Sequence, residues 1–298
     1  MEHRDAFSAC HPAVNFLYFT LVIAFTMFLM QPWCLLISLA CALTYHICLR
    51  GLKGARAALW YLLPTMGMAA VLNPAFNHEG TTVLAHLPSG APLTLESVLY
   101  GLAAAVMLAA VITWFACYTE VMTSDKFIYL FGRLIPSLSL VLSMALRFVP
   151  RFKAQFHAVR EAQEAMGRGI SHGKVSQRLK NAVTILSILV TWALENAVAT
   201  ADSMKSRGYG LPGRTAFSIY PLTHRDKLLM TWLCACGAYL LCGWAAGGLS
   251  WRWFPSLDGA SVTPLNMTLL LAYLALCLTP VLLDRKEAWT WARLHCEM

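Results

Sequence analysis

The sequence is poor in charged residues. Only 13% of its 298 residues are Asp, Glu, Lys or Arg, whereas soluble domains carry about 25%. Hydrophobic residues make up 58% of the chain, which excludes a disordered protein, because disordered chains lack apolar residues. The composition disfavours an ordinary soluble enzyme and predicts a polytopic membrane protein.

Motifs for metal, nucleotide and disulfide chemistry are also lacking. The ten cysteines include no Cys-x2-Cys pair, and we expect them to be reduced and structural. Residues 208–213 match G-x-G-x-x-G in letters, but they follow a predicted helix and not a strand. Gly173-Lys174 lacks the first glycine and the final Ser or Thr of a P-loop. We therefore predict no catalytic residue, no metal site and no cofactor in this chain.

Six stretches are apolar enough to be membrane helices, which need about 20 mostly apolar residues. They contain almost no ionisable residues, which argues against a self-sufficient secondary transporter, since such proteins place ionisable groups inside the membrane. Pro32 separates the first two stretches and predicts a tight helical hairpin. The stretches are residues 13–30, 33–49, 57–72, 95–118, 228–244 and 265–283.

Positive charge is distributed unevenly among the connecting segments. If both termini are cytoplasmic, every one of the 23 Lys and Arg residues except Arg252 lies on the cytoplasmic side of six spans. This pattern satisfies the positive-inside rule and predicts that both termini are inside. The net charge of +8 is then explained by basic residues that orient the chain in the lipid bilayer, and no nucleic-acid partner is expected.

Most of the positive charge lies in residues 126–227, which hold fifteen basic residues and five acids, a net charge of +10. Their hydrophobic pattern is helical throughout. Residues 127–146, with Pro136 near the middle, are expected to lie on the membrane surface, with a seventh span as the alternative. Pro150 is expected to restart the chain before a second helix at 151–166.

A third helix is predicted at 174–207, roughly 50 Å long. Its apolar middle, 182–194, is too short to span a bilayer, so we expect it to pack beneath the membrane helices. The predicted fold is all-α: about six transmembrane helices plus a cytoplasmic domain of three long helices. The corresponding divisions are 1–124, 125–225 and 226–298.

Two of these helices end on an arginine beside a glycine. One end reads Gly167-Arg168-Gly169, and the other reads Ser206-Arg207-Gly208. A cation at a helix C-terminus complements the helix dipole, which is the simplest explanation for one such arginine. Two of them in one basic segment favour a docking surface, and because guanidinium binds carboxylates bidentately, an acidic groove on a partner is the expected target.

Acidic residues in the third helix predict an internal ion pair. Glu195 interrupts the apolar stretch, and Asp202 lies seven residues later on the same face. Because buried acids need a partner, we expect structural pairing with Arg147 or Arg151.

Taken together, these motifs resemble the transmembrane T component of energy-coupling factor (ECF) transporters, the EcfT/CbiQ-like family. The landmarks extend from His11 to about Asp226, and the two arginine motifs are the most specific of them. The first departs from the family's usual Ala-Arg-Gly, since Gly167 replaces the alanine. The remaining landmarks are His11-Pro12, Asn73-Pro74-x-Phe76-x-His78, Arg147-Phe148-x-Pro150, Ala162-Gln163-x-Ala165-Met166 and Asp202-Ser203-Met204 before the second motif, with Tyr209 after it.

The resemblance implies a non-catalytic coupling subunit in the bacterial inner membrane. Arg168 and Arg207 would bind two cytoplasmic ABC-type ATPases, which hydrolyse ATP, and a small membrane S subunit would bind the substrate. ATP-driven movement of the coupling helices would reorient the S subunit and release a vitamin or other micronutrient inside. The candidates for S-subunit contact or helix crossing are Phe152, Phe156, Val159, Leu186 and Leu189.

Two other functions remain open at the level of sequence. A membrane-embedded enzyme would need a polar constellation near one membrane face, and the acids are few and scattered. A basic scaffold that binds anionic lipid would spread its charge instead of placing it at two helix ends. The sequence leaves open the substrate, whether the S subunit is shared, and the role of residues 73–94.

Overall fold

The fold of the chain was analysed in a computed structural model. It describes residues 5–86, 92–132, 135–169, 174–212, 220–256, 258–259 and 263–296. The helices are α1 (Pro12–Phe28), α2 (Pro32–Phe76), α3 (Leu95–Val121), α4 (Ser124–Gly132), α5 (Pro136–Ala165), α6 (Val175–Ser206), α7 (His224–Ala245) and α8 (Pro264–Cys296). Two short antiparallel hairpins pair β1 (Val83–His86) with β2 (Pro92–Thr94) and β3 (Trp251–Arg252) with β4 (Asp258–Gly259).

The chain divides into two compact units. Residues 1–126 and 220–298 form the first, and residues 127–219 form the second. The first unit therefore unites the N-terminal and C-terminal membrane helices around one core, in which Phe19, Trp114 and Tyr273 are almost fully buried. The predicted all-α fold is confirmed, since the two hairpins lie only in segments that connect helices.

Five helices are long and apolar enough to cross a membrane: Pro32–Gly54, Leu95–Val121, Val175–Ser206, His224–Ala245 and Pro264–Trp291. The protein is thus a multi-pass membrane protein, as predicted. The set differs from the predicted six in three places. Helix α1 has 17 residues and is shorter than these five. Helix α6, whose apolar middle we expected to be too short to span a bilayer, meets these criteria by length and composition alone.

The third predicted span, residues 57–72, lies in the second of two helices that meet within α2. The two helices meet at Gly51, which leaves the helical region with φ +69° and ψ 179°. Glycine adopts this backbone conformation at no steric cost. The result is a kink between two arms, and the second arm packs on α3 through Ala58, Leu62 and Ala109.

Proline positions in the second unit also differ from the prediction. Pro136 begins α5, where its ring suits the first turn, so residues 127–146 do not form one helix. Pro150 lies inside α5 and does not restart the chain. A proline inside a helix removes one backbone hydrogen bond, and the 30-residue helix tolerates that loss.

A buried hydrogen-bond network joins four membrane helices of the first unit. The Ser38 hydroxyl lies 2.7 Å from the Thr26 hydroxyl and accepts the Trp114 indole N–H at 3.0 Å. The Tyr273 hydroxyl lies 3.1 Å from Thr26 Oγ1. Polar groups in an apolar core are costly unless paired, so this network fixes how α1, α2, α3 and α8 meet.

The connection between α2 and α3 is held by hydrogen bonds of the Asn-Pro landmark. The Asn73 side-chain amide donates to the Ser97 carbonyl oxygen at 3.0 Å, and the Ser97 hydroxyl donates to the Asn77 carbonyl oxygen at 2.6 Å. The Glu96 carboxylate accepts from the Thr82 hydroxyl at 2.6 Å. We interpret this landmark as a structural link between the helices.

The segment before α1 is anchored on the same unit. Phe7 is fully buried and packs edge to face on Tyr18 at 5.0 Å between ring centroids. The Tyr45 hydroxyl donates to Asp5 Oδ2 at 2.5 Å. The His11 backbone N–H donates to Asp226 Oδ1 at 3.1 Å, and Asp226 also closes the capping box of α7.

Candidate functional site

The candidate site is built on the contact between α5 and α6 in the second unit. Val159, Ile185 and Leu189 form a buried cluster, and Phe152 and Phe156 pack partly buried against it. Four of the five residues predicted for S-subunit contact or helix crossing therefore lie at the helix contact. The fifth, Leu186, points away from this cluster and is 56% exposed.

The order of contacts shows that the two helices run in opposite directions. The Asn181 side-chain amide donates to the Gly169 carbonyl oxygen at 3.0 Å, just beyond the end of α5. Further along α6, the Trp192 ring lies 5.9 Å from the Phe148 ring, near the middle of α5. The end of α5 thus lies beside the start of α6. The end of α6, 25 residues beyond Asn181, is about 37 Å away along that helix.

Helix α5 ends in a Schellman turn. Gly167 has φ +74°, its N–H donates to the Glu164 carbonyl at 3.0 Å, and the Arg168 N–H donates to the Gln163 carbonyl at 2.8 Å. This pair of bonds satisfies carbonyls that the helix end leaves unpaired. Arg168 is exposed and follows the left-handed glycine.

Helix α6 ends in the same turn. Gly208 has φ +78°, its N–H donates to the Lys205 carbonyl at 3.0 Å, and the Tyr209 N–H donates to the Met204 carbonyl at 3.0 Å. Arg207 is the C-cap residue, directly before the left-handed glycine, and is exposed. Each predicted docking motif therefore lies at a rigid, hydrogen-bonded helix end with a guanidinium in solvent.

The predicted ion pair within this unit is absent. Arg147, Arg151, Glu195 and Asp202 are all exposed, and none takes part in a salt bridge within the described part of the chain. The prediction assumed that Glu195 is buried. Its side chain is exposed instead, and an exposed carboxylate needs no partner within the chain.

Apolar surface also remains uncovered in this unit. One face of α6 carries exposed aliphatic side chains at spacings of three and four residues, typical of a single helical stripe. On α5, an apolar groove with a volume of about 510 Å³ is lined by residues that include Phe148, Phe152 and Phe156. The stripe consists of Leu179, Val183, Leu186, Val190, Leu194 and Val198.

Comparison with known proteins assigns the family. The family model described as "CbiQ: Cobalt transport protein" matches residues 7–217, which include both arginine-bearing helix ends. The chain belongs to the CbiQ family. The resemblance inferred from the sequence motifs is thereby confirmed. Family membership also agrees with a multi-pass, all-α membrane protein.

Curated relatives share part of the chain. A protein of Exiguobacterium sibiricum, named energy-coupling factor transporter transmembrane protein EcfT, is 34% identical over 105 residues, 35% of this chain and 40% of the relative. The proteins of the same name from Lacticaseibacillus paracasei and Listeria innocua are 34% identical over 110 and 97 residues, covering 37% and 32% of this chain and 40% and 37% of the relatives. The chain thus spans well under two thirds of these relatives' length.

The sequence motifs missed two features of the structure, one at the site and one in the core of the first unit. Asn181 binds the turn after α5, although nothing in the sequence distinguished it from other polar residues of α6. The pair α7 and α8 lies beyond the family match, yet it contributes Leu233, Leu240 and Tyr273 to the core of the first unit. Among the residues that the structure describes, no group of three or more His, Cys, Asp or Glu is placed to hold a metal ion.

Proposed function

We propose that this protein is the transmembrane coupling (T) subunit of an ECF-type importer. It contributes no catalytic group, and two partner ATPases hydrolyse ATP. The observation that carries the proposal is the pair of arginine-bearing ends on antiparallel helices, each closed by the same turn. Their separation of about 37 Å along α6 gives each end room for its own partner.

The chemistry of these ends favours an acidic groove on each ATPase. Arg168 and Arg207 are exposed and take part in no salt bridge within the described residues. Each can therefore donate paired hydrogen bonds to a carboxylate at low cost in lost intramolecular contacts. The backbone at both ends is already fixed, which reduces the entropy lost on docking.

The aliphatic stripe of α6 supports a membrane S subunit as the third partner. The stripe extends over 20 residues, about 28 Å, and α5 covers the opposite side of the helix. An apolar strip of this length fits a hydrophobic membrane partner. The S subunit selects the substrate, a vitamin or other micronutrient, and both termini lie in the cytoplasm of a bacterial cell.

Affinity purification of the tagged full-length chain tests the proposal. Wild type is expected to retain two P-loop ATPases and a small hydrophobic subunit, identified by mass spectrometry. Arg207→Glu is expected to reduce ATPase recovery about 30-fold or more, because it places a carboxylate against an acidic groove. Arg160→Glu is the matched control, since it makes the same charge change on an exposed position of α5 away from the tip.

Two outcomes would contradict this function. Recovery of wild type without any ATPase would favour the membrane-enzyme alternative. Equal, small changes in ATPase recovery for Arg207→Glu and Arg160→Glu would indicate a lipid scaffold, for which each basic residue contributes only about 1 kcal/mol.

A further inference from the structure

The two helix ends share a backbone turn but place their arginines on opposite sides of the glycine. In α5 the order is Met166, left-handed Gly167, Arg168. The arginine is therefore the second residue beyond the C-cap, where the chain has already left the helix axis.

In α6 the order around the glycine is reversed. Arg207 is the C-cap residue, Gly208 is left-handed, and Tyr209 follows. Superposed on their glycines, the ends match Met166 with Arg207 and Arg168 with Tyr209. The apolar members are exposed as well, Met166 by 59% and Tyr209 by 48%.

Gly167 is the cause of this difference. In the motif Ala-Arg-Gly, an alanine disfavours the left-handed backbone, so the helix would continue through Arg168 and close at the next glycine. In this chain the closure falls at Gly167, as its φ of +74° and the two closing hydrogen bonds show. Arg168 is thus displaced from the last helical turn into the following turn.

Asn181 of α6 holds the displaced turn in place. Its side-chain amide donates to the Gly169 carbonyl at 3.0 Å, and the side chain is 8% exposed. The Arg168 backbone is therefore fixed from both sides, by the Gln163 carbonyl on α5 and by α6 through Gly169. Asn181 is a positioning residue for the arginine.

We infer that the two docking ends are not interchangeable and recognise ATPase surfaces of different layout. This inference rests on the proposed function. The partner of α6 meets a guanidinium at the helix end and an aromatic ring after it. The partner of α5 meets a thioether at the helix end and a guanidinium after it, so its acidic site lies beside an apolar contact.

An exchange of residues between the ends tests the inference. Met166→Arg combined with Arg168→Tyr gives α5 the order found in α6, while keeping one cation and the glycine. We expect recovery of the ATPases with the tagged full-length chain to fall about tenfold or more. Both positions are exposed, and size-exclusion chromatography of the purified variant verifies folding.

Two single glycine substitutions provide a second, independent measurement. Gly167→Ala is expected to shift closure to Gly169 and lower ATPase recovery about tenfold, because Arg168 moves into the helix. Gly169→Ala is the matched control and is expected to change recovery less than about twofold, because Gly169 lies beyond the two backbone hydrogen bonds that close the helix. Asn181→Asp, which loses the donated hydrogen bond, is expected to increase hydrogen exchange at the Arg168 amide and to lower recovery in parallel.

The outcomes separate this inference from the proposed function. Full recovery with the exchanged α5 end overturns the inference and leaves the coupling function intact. A greater loss with Gly169→Ala than with Gly167→Ala also overturns it, because closure would then lie at Gly169. Failure of wild type to recover any ATPase overturns both.

Discussion

Replacement of Leu189 by alanine tests how α5 and α6 are held together. Leu189 is 2% exposed and shares its cluster with Ile185 and Val159. Leu→Ala changes in cores cost about 2–5 kcal/mol, depending on how far the site collapses. This cluster is small and bordered by the partly buried Phe152 and Phe156 rings, which can move into the space, so we expect a cost near the lower end, about 2.7 kcal/mol.

Hydrogen exchange of the α5 and α6 amides in detergent-solubilised full-length protein measures that cost. A loss of about 2.7 kcal/mol corresponds to roughly 100-fold weaker protection. Leu186→Ala is the matched control: the same change three residues earlier, at a side chain that is 56% exposed. It is expected to alter protection by less than about 0.5 kcal/mol. Equal protection in Leu189→Ala and wild type, or a larger loss in Leu186→Ala, would refute the packing described.

Two further predictions concern the first unit. Burial raises the pKa of Asp5 above its usual 3.8, although the Tyr45 hydroxyl opposes the shift. The folded state therefore binds this proton more tightly than the unfolded state, so the free energy of unfolding falls as pH rises above 3.8. Asp5→Asn should remove that pH dependence in thermal unfolding measured across pH. An unchanged slope of stability against pH would contradict the assignment. Gly101→Ala should lower the unfolding free energy by about 1–3 kcal/mol, because its Cβ would lie 2.9 Å from the Ala70 carbonyl oxygen. Gly67→Ala, with no atom within 4 Å of the new Cβ, should instead be neutral or stabilising in the same unfolding assay.

Local signals in the sequence predict several elements to within a residue or two. The third helix was predicted at 174–207 and is α6, with Lys174 and Arg207 as its caps. The break at Pro32 and the two glycine closures were likewise readable, because proline and glycine act through their own backbone. These features depend on neighbouring residues alone.

Features that depend on tertiary contacts could not be predicted in this way. Two helices of α2 meet directly at Gly51, where a polar stretch predicted a longer loop. The exposure of Glu195 depends on which side of α6 meets α5. Tertiary packing decides which of the two sides of α6 that is. The displacement of Arg168 was not predicted, because the replacement of the motif's alanine by Gly167 was noted without its effect on the backbone at the helix end.

Because α7 and α8 contribute to the core of the first unit, that core is completed only late in biosynthesis. Helices α1 to α3 leave the ribosome well before Tyr273, to which Thr26 is hydrogen bonded. Translation proceeds at about 5–20 residues per second, so the roughly 150 residues between α3 and Tyr273 correspond to a wait of about 8–30 s. During that interval the Thr26 and Ser38 hydroxyls can already bond to each other and to the Trp114 indole, so α1, α2 and α3 can assemble first and Tyr273 of α8 joins a preformed polar network.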